Sequence, residues 1–354
     1  MIGKLVDKRS ETIALLKVEI QNSLKLAIPS ILTQLAETAI GFVDLVMIGW
    51  LGSEILAAGG LGVITFQTFF YIGAGLFEGL GALMAEAFGR EDIEDVRKLT
   101  VQGFWIGIVF SLPIAFLLWH FGSILSLLGQ EEKIARGAEI YLRAIAWGFP
   151  AALSLVILKE MATAGDRPQF ITIIMTISVP LGALANYLLM FGYFGFPALG
   201  LAGAGWASTI IFWLTFLIVL AYMKFHPHWQ KYQLFNRFWY GDRDTFFKIL
   251  KIGIPLAVQF GAELGLFTLA AFLMGYLGTA NLAAHEITLS IFELAIIVPF
   301  GFSYSTAIRV GRRLGLNDKE NIKNTLLIDL FLNTIITSMI ALILWLFASP
   351  IISI

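Results

Sequence analysis

Apolar runs of about 20 residues, separated by shorter polar stretches, recur along the whole chain of 354 residues. An α-helix of that length crosses a hydrocarbon layer roughly 30 Å thick. Because 58% of the residues are hydrophobic and only 14% are charged, a soluble globule could not keep so much apolar surface from water. Strands of membrane barrels alternate apolar and polar residues, and these runs are apolar on every side. The sequence therefore predicts an all-α polytopic membrane protein embedded in the lipid bilayer.

Nine membrane spans are predicted, and two of them are long enough to tilt or bend. They cover residues 24–50, 55–87, 99–121, 138–160, 168–191, 198–224, 248–276, 281–310 and 324–348. The segment before the first span, residues 10–22, places apolar residues between charged ones, which predicts a short amphipathic helix on the membrane face. Charges scattered through the N-terminus leave no apolar core of a cleaved signal peptide.

The first span has a second copy later in the chain. Sliding the chain against itself so that Leu24 falls on Leu250 sets Leu24–Gly52 on Leu250–Gly278 without a gap and places Glu37 on Glu263. The register holds through the next two spans, and such repeats are typical of secondary transporters. We therefore expect a two-lobe helical bundle.

The predicted lobes are unequal in length. Residues 1–224 form an N-terminal lobe of six transmembrane helices after the amphipathic segment, 225–247 a cytoplasmic linker loop, and 248–354 an incomplete C-terminal lobe of three helices. The second copy stops where the counterparts of spans 4 to 6 would follow. The sequence thus predicts nine spans of an expected twelve, within a protein of about 450 residues.

Cationic residues are distributed unevenly between the two sides of the predicted bundle. One side collects the cations before span 1, after spans 2, 4 and 8, and in the 225–247 loop, while Lys133, Arg136 and Arg143 fall on the other. Loops rich in Lys and Arg stay in the cytoplasm. The N-terminus is therefore predicted to be cytoplasmic.

Ionisable residues inside spans are costly and are candidates for function. We expect Asp44, Glu37, Glu263 and Glu293 to take part in cation or proton coupling. Asp44 and Glu37 lie seven residues apart, hence on one helix face roughly 10 Å apart. In the second copy Ala270 replaces Asp44, which makes the lobes chemically unequal. A buried acid satisfied by neighbouring hydroxyls and amides is the alternative interpretation for Asp44.

Further polar residues of the spans are candidates for a substrate cavity: Gln34, Glu78, Asn186 and Gln259. Packing between helices explains the amides equally well. The linker histidines, His226 and His228, lack a third ligand type nearby and are interpreted as interfacial residues. No metal site is predicted beyond a possible Na+ at Asp44 or Glu263. The net charge of -1 argues against nucleic acid, and the absence of cysteine excludes disulfides and thiolate metal sites.

Several stretches resemble the MATE (multidrug and toxic compound extrusion) transporters, in particular their NorM-like branch. They are GFVDLVMIGWLG, MAEAFGRED, IPLAVQFGAELGLFTLAAFLMGYLGTANLAAHEI and PFGFSYSTAIRVGRRLG. The resemblance implies two six-helix lobes around a V-shaped cavity and antiport of organic cations against Na+ or H+. It places Asp44 at the acid of the N-lobe motif FVD and Glu263 at the span 7 acid of the C-lobe cation site. The chain departs from the family at Glu286, where the family usually has Gln, and ends before span 10, which carries a further acid.

The predicted function is secondary active transport: efflux of drugs and organic cations by Na+ or H+ antiport. No cofactor is expected besides the coupling ion, and the protein is expected to act as a monomer in the cell (inner) membrane. A lipid-linked precursor flippase of the same superfamily is the alternative. A membrane-embedded enzyme is a weaker one, because no His-rich, nucleophile or metal constellation lies at a span end. The sequence does not distinguish Na+ from H+ coupling.

Overall fold

The computed structural model describes residues 2–234, 238–239 and 241–347; for residues 2–16, 272, 275, 279, 280, 282, 283 and 286 it describes the backbone alone. The described part consists of α-helices joined by short turns. They are α1 (Ile2–Gly49), α2 (Ser53–Gly75), α3 (Leu80–Gly89), α4 (Ile93–Trp119), α5 (Phe121–Leu127), α6 (Glu132–Ile145), α7 (Phe149–Ala164), α8 (Gln169–Phe191), α9 (Leu201–Phe225), α10 (Pro227–Gln230), α11 (Arg243–Tyr276), α12 (Thr279–Gly315) and α13 (Lys319–Leu346).

Nine stretches among the described residues are long and apolar enough to cross a membrane, and they confirm the nine predicted spans. They run over Lys17–Gly49, Ser53–Gly89, Ile93–Trp119, Glu132–Ala164, Gln169–Phe191, Leu201–Phe225, Arg243–Ala271, Ile287–Gly315 and Lys319–Leu346. The second of them is broken between α2 and α3, and the fourth is α6 and α7 joined by the 3-10 turn Ala146–Gly148.

The break between α2 and α3 lies where α11 crosses this span closely. A Cβ atom on Gly75 would lie 2.9 Å from the Ala257 Cα, and one on Gly79 would lie 2.4 Å from Ile252 Cγ2. Glycine permits this approach and lowers helix propensity at the same point. The sequence therefore bends the span at the position where the second copy of the repeat packs against it.

The repeat found in the sequence is present in the backbone. Gly52 precedes α2 with φ 118° and ψ 159°, and Gly278 precedes α12 with φ 113° and ψ 160°. Glu91 and Asn317, which fall on each other in the register of the repeat, both adopt positive φ, at 56° and 58°. Glycine is the residue that reaches the first of these conformations without strain. The two copies thus share their turns as well as their helices.

The two copies meet at one end of the bundle. There α12 packs along α3 and α1, and α11 packs against α2. Glycines bring the backbones together: a Cβ atom on Gly315 would lie 2.0 Å from the Glu86 carbonyl oxygen, and one on Gly253 would lie 2.1 Å from that of Leu76. Small residues of this kind are typical of close helix packing in membranes.

Cations surround this junction. We call this end the basic face and define it by Arg90, Arg97, Arg309, Arg312 and Arg313. Arg312 forms an ion pair with Asp166, and Arg309 and Arg313 share the carboxylate of Glu19. Arg309 is also held by both oxygens of Asp329, at 2.6 and 2.8 Å. Ion pairs therefore join α12 to α1 and to the turn after α7 at the basic face.

The N-terminal segment differs from its prediction as a separate helix. The structure has one continuous helix, α1, which runs from Ile2 through the predicted segment into span 1. Glu19 reaches Arg309 and Arg313 of the second copy, so the segment continues the axis of the span. The side chains of residues 10–16 lie outside the described ones.

The loop after α9 is ordered by polar contacts. His226 Nδ1 accepts a hydrogen bond from the His228 backbone N–H at 3.2 Å and begins α10, which is a capping role. Asp242 begins α11: it accepts from the Thr245 N–H at 3.0 Å and lies 2.8 Å from Lys98 Nζ. The hydrogen bond from Lys98 lowers the pKa of the Asp242 carboxyl.

Candidate functional site

Asp44 lies at the point where three helices of the first half of the molecule converge. We use first half for α1 to α9 and second half for α11 to α13. Its carboxylate, on α1, is 6% exposed. Asn186 on α8 donates through Nδ2 to Oδ1 at 2.5 Å, and Ser208 on α9 donates through Oγ to Oδ2 at 2.8 Å. Each carboxylate oxygen thus has a neutral donor, and no Lys or Arg pairs with it among the described side chains.

Small residues on α9 allow this convergence. Four small residues of α9 are buried shortly before Ser208 in the chain: Gly203, Ala204, Gly205 and Ala207. A Cβ atom on Gly205 would lie 2.7 Å from the Tyr141 carbonyl oxygen on α6. The small-residue face therefore brings α9 against α6 and carries the Ser208 hydroxyl into contact with Asp44.

The amide of Asn186 has one unused polar atom. Its side chain is fully buried, and its Oδ1 has no hydrogen-bond partner among the described atoms. A buried acceptor without a partner is costly unless a donor or cation meets it. This oxygen, together with the Asp44 carboxylate, matches the oxygen ligands that a hard monovalent cation takes.

A cavity of about 100 Å³ adjoins Asp44. It is lined by α1, α2, α6, α7, α8 and α9, all of which come before α10 in the chain. Glu37 and Asp44 both line it, as their spacing on one helix face predicts. Aromatic rings form part of the wall: Phe66 stacks on Phe212 with centroids 5.8 Å apart. Pockets for drug-sized ligands are typically about 300 Å³ or larger, so the cavity in this state is small for such a molecule.

Glu37 is paired, unlike Asp44. Lys159 on α7 extends into the cavity wall, and its Nζ lies 3.0 Å from Glu37 Oε1. The sequence counts Lys159 among the cations at the end of predicted span 4 (138–160), and α7 continues one turn beyond that end, to Ala164. The ammonium neutralises the Glu37 carboxylate within the cavity.

The other predicted residues of the first half are spread out. Glu78 is exposed in the break between α2 and α3, and the charge of Lys159 acts on it. Gln34 is partly buried and does not line the cavity, where Gln67 contributes an amide instead. Of the four predicted cavity residues, Asn186 is thus the one in contact with Asp44.

The predicted residues of the second copy lie apart from Asp44. Glu263 on α11 is half-buried and makes no hydrogen bond or ion pair within the described part of the chain. Gln259 is exposed on the same helix. Glu293 on α12 is exposed, and its charge acts on the Tyr71 hydroxyl at the cavity wall.

The matches to known proteins fall on the two copies of the repeat. The sequence profile of the MatE family matches residues 29–188 and 255–354. The two matched segments begin at Pro29 and Pro255, which fall on each other in the register of the repeat. The chain belongs to the MatE family.

Curated relatives in this family support the assignment. The chain is 36% identical over 306 residues to a probable multidrug resistance protein NorM of Mesorhizobium japonicum, covering 86% of this chain and 66% of that protein. It is 35% identical over 315 residues to a protein of the same description from Synechocystis, covering 89% of this chain and 68% of the relative. The chain therefore spans about two thirds of the length of these relatives.

Solved structures of MatE relatives have the same fold. The eukaryotic MATE transporter AtDTX14 matches with a TM-score of 0.83 at 20% identity, over 93% of this chain and 73% of that one. A multidrug resistance MATE family transporter in an outward-facing conformation matches with a TM-score of 0.83 at 18% identity, over 94% and 73%. These likenesses confirm the predicted helical fold.

Sequence reasoning missed several polar residues of this MatE chain. Ser208, Glu160 and Tyr304 contact other helices through buried polar atoms. Ser208 lies in a run of small residues, a pattern that indicates a packing face alone. Glu160 follows Lys159 at the predicted end of span 4. Two charged residues at the end of a span are typical of the membrane–water interface, so the sequence did not single out Glu160. The signal that could have found Glu160 is its place on a helix that continues beyond the predicted span.

Proposed function

We propose that this chain carries out multidrug efflux by cation-coupled antiport, as a transporter rather than an enzyme. The observation that supports this most strongly is the buried Asp44 carboxylate, held by Asn186 and Ser208 at the wall of a cavity. Acids inside a membrane bundle are expensive and mark ion pathways. The relatives in this family are described as probable multidrug resistance proteins, which supports the same activity.

Asp44 is proposed to bind the coupling ion, and Glu37, another acid of the same cavity, is proposed to take part in coupling. A proton on the carboxylate would remove its buried charge, and a Na+ ion would be held by a carboxylate oxygen together with Asn186 Oδ1. The neutral donors Asn186 and Ser208 stabilise the empty, ionised carboxylate between binding events. Either ion changes the charge in the cavity by one unit, which is what coupling to a cationic substrate requires. No further cofactor is proposed.

The substrates are proposed to be amphipathic organic cations or drugs. Phe66 and Phe212 offer ring faces, and Asp44 offers a negative charge at the same cavity. Because the cavity measures about 100 Å³ here, substrate binding requires a state in which it is wider. Five further polar residues of the spans are proposed to contribute to the site in that wider state: Glu263, Glu293, Glu78, Gln34 and Gln259.

The structure corresponds to a state closed at the basic face. Ion pairs and close backbone contacts join the two halves there. We assign the basic face to the cytoplasm because Lys and Arg accumulate on that side of membrane proteins. The protein is thus proposed to lie in the cell (inner) membrane as a monomer, with a cytoplasmic N-terminus and a closed cytoplasmic side.

The test is efflux from proteoliposomes that contain the full chain, under a Na+ gradient or a pH gradient imposed separately. Replacing Asp44 by Asn keeps the volume and removes the charge. We expect Asp44→Asn to abolish efflux under the gradient that drives the parent, while membrane insertion stays intact. Glu54→Gln, which changes an exposed acid paired with Lys133, is the matched control and should export at the parent rate. Export by Asp44→Asn at the parent rate under either gradient would contradict the assignment.

A further inference from the structure

A buried carboxylate that the proposed transport step does not use lies between the two halves. Glu160, in the last turns of α7, is 2% exposed. Its Oε2 accepts a hydrogen bond from the Tyr304 hydroxyl at 2.7 Å, and Tyr304 belongs to α12 of the second copy. The contact lies within the junction at the basic face. It exists only while the two halves are together.

The surroundings leave space for this contact. A Cβ atom on Gly81 of α3 would lie 2.2 Å from Glu160 Oε2 and 3.3 Å from the Tyr304 hydroxyl oxygen. Any other residue at position 81 would push the carboxylate aside. Three helices thus surround this contact: the hydrogen bond joins α7 to α12, and Gly81 of α3 leaves room for it.

Its neighbour on α7 faces the cavity. Lys159 precedes Glu160 and pairs with Glu37 on α1 at 3.0 Å. Consecutive residues of an α-helix point about 100° apart. The end of α7 therefore presents one side chain to the cavity and the next to the other half of the molecule.

Lys159 has more than one acid within electrostatic reach. The charges of Glu37, Glu160 and Glu78 all act on its ammonium, while it is hydrogen-bonded to Glu37. The groups that face this cluster come from each packed element: Tyr71 from α2, Tyr304 from α12 and Glu293 from α12 at longer range. An ammonium released from Glu37 has Glu160 as its nearest alternative along the chain.

We propose that Glu160 and Tyr304 form a lock that holds the basic face closed, and that Lys159 opens it when a cation neutralises Glu37. A proton or Na+ at Glu37 removes the charge that holds Lys159. The ammonium then pairs with Glu160 and displaces the Tyr304 hydroxyl, because an ion pair in a buried site is stronger than a hydrogen bond from a neutral donor. The lock itself needs no transport activity, and the role of Lys159 in opening it rests on the proposed cation coupling.

The rim of the same junction has other ion pairs, such as Arg312 with Asp166. Both of these side chains are more than a third exposed, at 36% and 39%. Exposed ion pairs contribute little, whereas a buried hydrogen bond to a carboxylate contributes more. The largely buried pair of Arg309 with Glu19 also crosses the junction. Glu160 and Tyr304 form the buried pair next to Lys159 and the cavity, and the lock is therefore assigned to them.

A cysteine reporter can measure the lock, since the chain contains no cysteine. Ser305 is fully buried between α12 and α1, where its Oγ donates to the Ser23 carbonyl oxygen at 3.1 Å. Ser305→Cys keeps nearly the same size. The full chain with this change is purified in detergent, and its reaction rate with a hydrophilic maleimide is measured without substrate or ion gradient.

Removal of the hydroxyl tests the lock. We expect Tyr304→Phe to raise the labelling rate roughly tenfold or more, and Glu160→Gln, which keeps an acceptor oxygen, to raise it less. Tyr222→Phe is the matched control, because Tyr222 lies in α9 stacked on Phe170, away from the junction. Circular dichroism and the elution volume show that each variant is folded. Labelling of Tyr304→Phe at the parent rate would overturn the lock.

The proposed role of Lys159 in opening the lock, which we call the Lys159 arm, has its own test. Glu37→Gln imitates the neutralised state and should raise labelling, and adding Lys159→Met should return it to the parent rate. In a protein that already carries Tyr304→Phe, Glu37→Gln should not raise the labelling rate further, because both changes act on the same contact. Unchanged labelling of Glu37→Gln would overturn the arm. Since these rates are measured without transport, either failure is distinguishable from failure of the Asp44 efflux test.

Discussion

The two copies of the repeat have the same backbone plan and different chemistry. Gly52 and Gly278 make the same turn, at φ 118° and 113°. Asp44 in the first copy has two buried donors, and the equivalent residue of the second is Ala270. Glu37 is paired with Lys159, whereas its counterpart Glu263 has no polar partner among the described residues. The repeat thus determines where helices begin and end, and not which acids are stabilised.

The difference comes from helices outside the repeat. Asn186, Ser208 and Lys159 lie on α8, α9 and α7, and residues 248–347 contain no counterparts of these helices. An acid needs surrounding donors to remain ionised in a membrane bundle. The donors that hold the Asp44 carboxylate therefore come from helices that the repeated segments do not include.

The largest expected effect comes from moving the acid between the copies. In Asp44→Asn combined with Ala270→Asp, the carboxylate stands at the equivalent position of the second copy. We expect efflux to stay at least about a hundredfold below the parent, because the donors Asn186 and Ser208 lie on α8 and α9, whereas α11 packs chiefly on α2, α12 and α4. Proteoliposome efflux under the driving gradient measures this. Recovery of half the parent rate would show that the copies are interchangeable.

The shared turns predict equal effects in the two copies. Gly52→Ala and Gly278→Ala each force a side chain into a conformation reserved for glycine, at a cost of roughly 1–3 kcal/mol. Thermal unfolding in detergent should show both losses. Gly265→Ala is the control: it has nothing within 4 Å and an ordinary helical φ, so it should be neutral or stabilising by up to about 1 kcal/mol. A loss at Gly52 alone would break the equivalence of the turns.

The donors around Asp44 predict a smaller effect on ion binding. Ser208→Ala removes the hydroxyl that Asp44 Oδ2 accepts from at 2.8 Å. We expect the concentration of coupling ion that gives half-maximal efflux to change about tenfold, since one hydrogen bond to a charged group contributes roughly 1.5–3 kcal/mol. Thr268→Ala, at an exposed position of α11 where the hydroxyl donates to the Leu264 carbonyl oxygen at 2.9 Å, should change it less than twofold by the same reasoning. Equal responses would show that Ser208 is a packing residue.

The smallest expected difference concerns two helix caps. Asp92 begins α4 and accepts from the Asp95 N–H at 3.0 Å, whereas its counterpart Asp318 begins α13 without such a bond. Asp92→Ala should destabilise the protein by about 1 kcal/mol, and Asp318→Ala by less. Asp92→Asn keeps a capping oxygen and serves as the control. Equal losses in thermal unfolding at the two positions would remove this distinction.

The order of residues along the chain was enough to predict the spans and the repeat and to select Asp44 as a candidate. Apolar length and the register of the repeat are properties of that order, and a charge inside an apolar run is visible without a partner. Even Asn186 could be selected, because an amide within a span is rare enough to attract attention.

Which groups meet became visible only in the folded molecule. Ser208 reaches Asp44 across 164 residues and Tyr304 reaches Glu160 across 144, and both contacts depend on how helices cross. The angle at which two helices cross depends on the small residues that both helices place at the contact. It cannot be read from the sequence of one span alone. Lys159 shows the same limit: the sequence places it at the end of a predicted span, and only the contact of α7 with α1 shows that its ammonium lies in the cavity wall beside Glu37. Local pattern specifies a helix, and packing between distant helices specifies the chemistry on its faces.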